Sequence, residues 1–119
     1  GILGTKALPI VEIISDHQLY DYECKYSKGK SQYKVPADLP EKVTRKIQDD
    51  ALKIYKALGC RHYGRVDFRM NDKNDHYFLE INTLPGMTST SLLPMAAQAA
   101  GLDFPDLVET IIKIAMVDQ

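Results

Sequence analysis

Apolar and polar residues alternate through two short runs, 64–70 and 77–81, rich in Val, Ile, Phe, Tyr and Leu. Between them lies Asn71-Asp72-Lys73-Asn74-Asp75-His76, polar and dense in turn formers. Period-two alternation punctuated in this way predicts a β-hairpin. If Met70 pairs with Tyr77 across the loop, Phe68 faces Leu79, Asp67 faces Glu80 and Arg65 faces Asn82. One face then carries Val66, Phe68, Met70, Tyr77, Leu79 and Ile81. The other carries Arg65, Asp67, Arg69, Phe78, Glu80 and Asn82. A slip of one residue would mix the two faces, so the pattern itself supports this register.

Helical spacing dominates three other stretches. Val43, Ile47, Ala51, Ile54 and Leu58 form one apolar stripe. Asp38-Leu39-Pro40-Glu41 resembles a capping box that opens this helix, and Gly59 ends it. Leu92-Leu93-Pro94-Met95-Ala96-Ala97-Gln98-Ala99-Ala100 reads as a second helix. Ser91 is its N-cap, Pro94 lies in the tolerant first turn and Gly101 just past the end. The last helix begins near Asp103-Phe104-Pro105-Asp106 and buries Leu107, Val108, Ile111, Ile112, Ala115 and Met116. At the start, Ile2-Leu3, a Gly4-Thr5-Lys6 turn and residues 7–14 read as a hairpin whose first strand is nearly absent. Pro9 is tolerated at a sheet edge or strand start. Either this is a short natural edge strand, or the chain begins in mid-fold with an edge poorly covered. Residues 15–36 read as a long polar loop holding Tyr20, Tyr22, Tyr26 and Tyr33; such loops serve as lids, or their tyrosines tack them to the core. The elements predict an α/β chain of the α+β type, an antiparallel sheet backed by helices.

The chain has 119 residues, one domain's worth. Its 15 basic and 16 acidic residues leave a net charge of −1, with no basic block and no aromatic–basic interleaving, so a nucleic-acid surface is not indicated. No apolar run approaches the ~20 residues of a membrane span, and no signal peptide is visible. Cys24 and Cys60 show neither metal spacing nor a disulfide framework, which fits a reducing cytoplasm. His17, His62 and His76 are scattered and read as incidental.

The polar face of the hairpin holds the candidate chemistry. Asp67 opposite Glu80 is a like-charge pair, unfavourable by roughly 0.2–1 kcal/mol. A solvated outer face balanced by Arg65 and Arg69 is the plain reading. The alternative is a hard-cation site, since Mg2+ takes one or two carboxylates plus substrate phosphates. Asp67, Glu80 and Asn82 supply two carboxylates and an amide oxygen, suited to one or two ions bridging a polyphosphate. Arg65 lies where it could stabilise developing negative charge. The Ser/Thr-rich 88–91 segment before the second helix is an ordinary cap or a site for a carboxylate or phosphate.

Arg65-Val66-Asp67, followed by Leu79-Glu80-Ile81-Asn82-Thr83-Leu84-Pro85-Gly86-Met87-Thr88-Ser89-Thr90-Ser91, resembles the C-terminal part of D-alanine–D-alanine ligases of the ATP-grasp superfamily. Tyr20-Asp21-Tyr22-Glu23-Cys24-Lys25-Tyr26 resembles that family's mobile loop. Pro94-Met95-Ala96-Ala97 and Ala100-Gly101-Leu102 extend the match over essentially the whole chain.

The resemblance implies that Asp67, Glu80 and Asn82 bind Mg2+ or Mn2+. It implies that Arg65 stabilises the transferring phosphoryl group and the tetrahedral intermediate, and that the Gly86 backbone is an oxyanion donor. Ser91 and Leu92 match contacts to the carboxylate of the second D-alanine. Lys25, Leu79 and Glu80 match nucleotide contacts, Lys25 touching substrate as well, and Tyr26 helps close the loop. In that family ATP phosphorylates the carboxylate of one D-alanine, and the amine of a second attacks the acyl phosphate, a step of peptidoglycan synthesis. The implied partners are ATP and D-alanine, with no nucleic acid and no membrane; the setting is cytoplasmic and the full-length protein a homodimer. The family's N-terminal domain and central nucleotide-binding region have no counterpart here. Residues 1–119 are therefore expected to be the C-terminal half of an ATP-grasp domain, truncated at the start and with little or no activity alone. Two alternatives stand beside this: a related ATP-grasp ligase with another second substrate, and a non-catalytic truncated paralogue or binding module.

Overall fold

The computed structural model describes residues 1–15 and 31–117. Four strands open the chain: Ile2–Leu3 (β1), Lys6–Ala7 (β2), Glu12–Ser15 (β3) and Ser31–Lys34 (β4). Helix α1, Glu41–Ala57, follows. Tyr63–Met70 (β5) and His76–Asn82 (β6) form the hairpin, and two helices close the chain, Leu92–Ala99 (α2) and Phe104–Val117 (α3). The expected α+β architecture is present. An antiparallel sheet in the order β2-β1-β5-β6 carries helices, and β3 pairs with β4 in a separate two-stranded sheet.

The sheet separates two apolar clusters, which follow from strand alternation. Ile2 and Leu3 are adjacent and both buried, at 1% and 7% exposure, so they point to opposite faces. Ile2 joins Ala51 and Tyr55 of α1, with Val66, Phe68 and Ile81 of the hairpin against them. Leu3 joins Leu8, Leu93, Ala96, Ala97 and Leu107, so α2 and α3 cover the other face. Each fully buried Leu or Ile contributes on the order of 1.5–3 kcal/mol.

The start of the chain differs from the expected stub. β1 lies inside the sheet, between β2 and β5, with Ile2 opposite both Ala7 and Gly64. Residues 7–14 are not one strand. Pro9 cannot donate to a ladder, β2 ends at Ala7, and β3 pairs elsewhere. Tyr33, expected in a loop, sits in β4 opposite Ile13.

The hairpin keeps the expected register at its base only. Arg65 faces Asn82, Val66 faces Ile81 and Asp67 faces Glu80. A β-bulge then intervenes, and Phe68 faces Phe78, Arg69 faces Tyr77 and Met70 faces His76. Leu79 is the extra residue, and it is 61% exposed. The bulge inverts the faces beyond it. Tyr77 and Leu79, expected inside, are exposed, while His76 comes onto the Phe68 side. There its Nε2 lies 2.6 Å from Asp50 Oδ2 on α1, and its ring meets Phe68 edge-on at 5.5 Å. His76 is thus a tie between hairpin and helix rather than incidental. The tip loop is held by Asn71, whose Oδ1 accepts from the Lys73 and Asp75 amides.

Three helix details also differ. α1 starts at Glu41 with Pro40 in the cap position and no side-chain cap bond; Asp38 instead pairs with Lys34 at 3.4 Å. The buried stripe of α1 is Ile47, Ala51 and Tyr55, and Leu58 is exposed. On α3 only Leu107 is fully buried, with Ile111 and Ile114 packed beside it, whereas Ile112 and Met116 face outward.

Both glycine stops are as expected. Gly59 and Gly101 have φ of 71° and 92°. In each, the glycine amide bonds three residues back, and the next amide bonds five back: Gly101 to Gln98 and Leu102 to Ala97, Gly59 to Lys56 and Cys60 to Tyr55. This double closure satisfies carbonyls that the helix end leaves open, and it brings Leu102 onto the core.

Candidate active site

The base of the β5–β6 hairpin brings Arg65, Asp67, Glu80 and Asn82 together as two directly opposed pairs. All four lie on the face opposite the α1 core, because Val66, Phe68 and Ile81 alternate with them toward that helix. Arg65 grips Asp67: Nε donates to Oδ1 at 2.8 Å and Nη2 to Oδ2 at 3.0 Å. Its Nη2 is 3.9 Å from Glu80 Oε1. The Asp67 hydrogen bonds, and then the charges of Asp67 and Glu80, raise the Arg65 pKa further, against its partial burial. The guanidinium therefore offsets the repulsion between the opposed carboxylates. Asp67 is 26% exposed and Glu80 65%, so Glu80 presents the open oxygens. The side chain of Asn82 accepts from the Leu84 amide at 3.0 Å, which turns the chain toward Pro85 and Gly86.

The donor set is hard: two carboxylates and one amide oxygen. No group of three His, Cys, Asp or Glu suited to a metal occurs among the described residues, so the amide, water or substrate oxygens would complete a site here. That composition fits Mg2+ or Mn2+ rather than Zn2+.

A second cluster follows the hairpin. Gly86 lies against Ser91; a Cβ there would sit 2.8 Å from Ser91 Oγ. Ser91 takes the N-cap position of α2, as expected, yet its hydroxyl makes no cap bond. The third helical residue is Pro94, which has no N–H to offer. The hydroxyl turns back instead, accepting from the Thr88 amide at 2.9 Å and meeting Thr88 Oγ1 at 2.7 Å. Leu92 is the first residue of α2. Thr88 does not stand out in the sequence by itself; the Thr-x-x-Ser spacing is the signal that could have found it.

Lys25 and Tyr26, with the rest of the expected mobile loop including Tyr20, Tyr22 and Cys24, lie outside the described residues. Two surface grooves avoid the carboxylates. One, of about 680 Å3, runs between α1 and the hairpin tip along Lys42, Lys46 and His76. The other, of about 560 Å3, borders Thr88, Met95 and Phe104.

Comparison with known proteins gives the family and the fold. The family model described as D-ala D-ala ligase C-terminus matches residues 1–113. The D-alanine–D-alanine ligase of Aquifex aeolicus is 51% identical over 112 residues, covering 94% of this chain and 38% of that protein. The D-alanine–D-alanine ligase of Vesicomyosocius okutanii is 52% identical over 113 residues, covering 95% of this chain and 39% of its own length. Among solved structures, the D-alanine–D-alanine ligase of Bacillus anthracis complexed with ATP superposes with a TM-score of 0.80 at 38% identity. That match covers 97% of this chain and 37% of the other. The VanG D-Ala:D-Ser ligase of Enterococcus faecalis gives 0.74 at 32% identity, over 94% and 34%. The chain thus spans under two fifths of the length of these relatives. It belongs to the D-Ala–D-Ala ligase C-terminus family, and its fold is that of the C-terminal part of an ATP-grasp ligase.

Proposed function

We propose that residues 1–119 form the C-terminal part of a ligase domain that uses ATP to join two D-alanines for peptidoglycan synthesis. The carrying observation is the pairing of Asp67 with Glu80 and of Arg65 with Asn82 at the hairpin base. In this reading Asp67, Glu80 and Asn82 hold Mg2+ or Mn2+, which neutralises polyphosphate charge when bound. Glu80 and Leu79 border the nucleotide, together with Lys25, and the exposure of both Leu79 and Glu80 leaves them accessible to it. Arg65 leaves Asp67 to meet the transferring phosphoryl group and the oxyanion that follows. The Gly86 amide adds a donor to that oxyanion. Ser91 and Leu92, at the start of α2, take the carboxylate of the second D-alanine. Tyr26, with Lys25, closes over the reacting groups.

The remaining parts of such a ligase supply the first D-alanine site and the rest of the nucleotide pocket, so this chain alone is expected to show little or no turnover. The complete protein works in the cytoplasm as a homodimer on this reading. D-alanine-dependent ADP release with Mg2+ and ATP, on the full-length ligase carrying this region, is the test. Activity abolished by Glu80→Gln supports the assignment; a full-length protein that is silent with D-alanine removes it and favours a non-catalytic module. The likeness to a D-Ala:D-Ser ligase makes D-serine the competing second substrate. Lys25-Tyr26 favours plain D-alanine by resemblance, and product analysis with D-serine or D-lactate separates the two.

A further inference from the structure

We infer that Thr88 is a positioning residue that makes the Ser91 hydroxyl a committed hydrogen-bond donor toward the carboxylate of the second amino acid. The inference rests on the reading of Ser91 as that carboxylate's contact.

A serine hydroxyl has one proton and two lone pairs. At an ordinary N-cap the oxygen is spent on an amide of the helix's first turn. Here Pro94 removes one of those amides, and the Ser91 oxygen makes no cap bond. One lone pair takes the Thr88 N–H at 2.9 Å. Thr88 Oγ1 lies 2.7 Å away, where either hydroxyl could donate. If the Thr88 hydroxyl donates, both lone pairs of Ser91 are filled and its proton is left for an outside acceptor. If Ser91 donates, its proton is consumed within the loop. A carboxylate arriving at Ser91 accepts only, so it selects the first arrangement. Charged acceptors make the stronger bonds, and the Thr88 hydroxyl polarises the Ser91 O–H further in the same direction. Gly86, whose Cβ would lie 2.8 Å from Ser91 Oγ, leaves the room in which this geometry closes.

Thr88 therefore acts through Ser91, and the two residues should not contribute independently. The test is steady-state kinetics on the full-length ligase carrying this region, with Thr88→Val, Thr88→Ser, Ser91→Ala and the Thr88→Val/Ser91→Ala double variant. Thr88→Val keeps the backbone amide and the side-chain shape while removing the hydroxyl. The expected result is a rise of about tenfold in KM for the D-alanine that binds second. The KM for ATP and kcat should change little. Thr88→Ser restores the wild-type KM, and the double variant is no worse than Ser91→Ala alone. Thr88→Ala repeats the measurement should the valine disturb folding. A second-substrate KM within twofold of wild type in both Thr88→Val and Thr88→Ala overturns the inference. So do effects of Thr88→Val and Ser91→Ala that multiply in the double variant. Ser91→Ala with an unchanged KM would instead remove the reading of Ser91 itself, and this inference with it.

Discussion

Arg65 holds both carboxylate oxygens of Asp67 at once, at 2.8 Å and 3.0 Å, from two residues away on the same strand. Any cation that takes Asp67 as a ligand shares oxygens already accepting from that fork and sits beside a guanidinium of like charge. The residue proposed to meet the phosphoryl group is thus the competitor of the ion proposed to bind beside it. Removing the fork should tighten metal binding while it damages catalysis. Arg65→Gln is expected to lower the Kd for Mn2+ by on the order of tenfold, measured from the EPR signal of the free ion. Arg65→Lys keeps the charge but not the two-armed geometry, so it should also tighten binding, by less. A lysine variant that binds Mn2+ no better than wild type would mean that charge alone, not the fork, sets the affinity.

Asp50 gives the fold an acid-sensitive tie. The hydrogen bond from His76 is the largest influence on its carboxyl and lowers its pKa from the ordinary 3.8; Lys46 adds to this, and partial burial opposes it. A lowered folded-state pKa means stability that is complete above the ordinary value. It is lost as pH falls from there through the folded one. Urea unfolding of wild type and Asp50→Asn should differ by about 1 kcal/mol near neutral pH. The two should converge as the solution is taken below the ordinary carboxylate range. A gap that stays constant with pH would show that the Asp50 charge plays no part.

Helix α3 offers a direct check on its own orientation. Leu107 is fully buried against Leu93 and Leu3, while Ile112 is 53% exposed. Leu107→Ala is expected to cost about 2–5 kcal/mol, a large share of what a domain of this size has. Ile112→Ala should stay within about 0.5–1 kcal/mol. Thermal or urea unfolding compares them, and similar costs would mean the helix is rotated from the phase described.

Gly101 isolates a backbone effect. With φ at 92° and nothing within 4 Å of where a Cβ would stand, a side chain there meets no neighbour, only its own backbone. Gly101→Ala should cost about 1 kcal/mol, again read by unfolding. The same substitution at Gly59, also in open space, should cost a similar amount.

Much of the arrangement is legible in the residues, and the failures share a cause. The hairpin base, the Ile47 and Ala51 part of the α1 stripe and the two glycine stops are readable because local pattern and burial agree there. The distal hairpin is not, because a bulge leaves no mark in composition: Leu79 looks like any strand leucine. Counting through it puts Tyr77 inside and leaves His76 without a task, when His76 in fact reaches Asp50. At Ser91 the pattern locates the cap, yet the proline three residues on changes what its hydroxyl does. Asp38 and Glu41 have the spacing of a capping box, but Lys34 takes Asp38 instead. In each case something outside the local pattern decides the outcome: a bulge, a nearby charge or a missing N–H.

The bulge also sets where the hairpin could change length. Removing Leu79 would leave each remaining pair in place, with Asp67 still opposite Glu80 and Phe68 still opposite Phe78, and would invert neither face. Removing Ile81 instead would carry Glu80 round to Val66 and turn its carboxylate onto the apolar side. A deletion is therefore silent to the ladder at one position of β6 and ruinous two residues later. The tolerant position lies beside the carboxylates. Shortening there would delete a side chain proposed to border the nucleotide while sparing the pair proposed to hold the metal, so the two halves of ATP binding could be separated by the loss of a single residue.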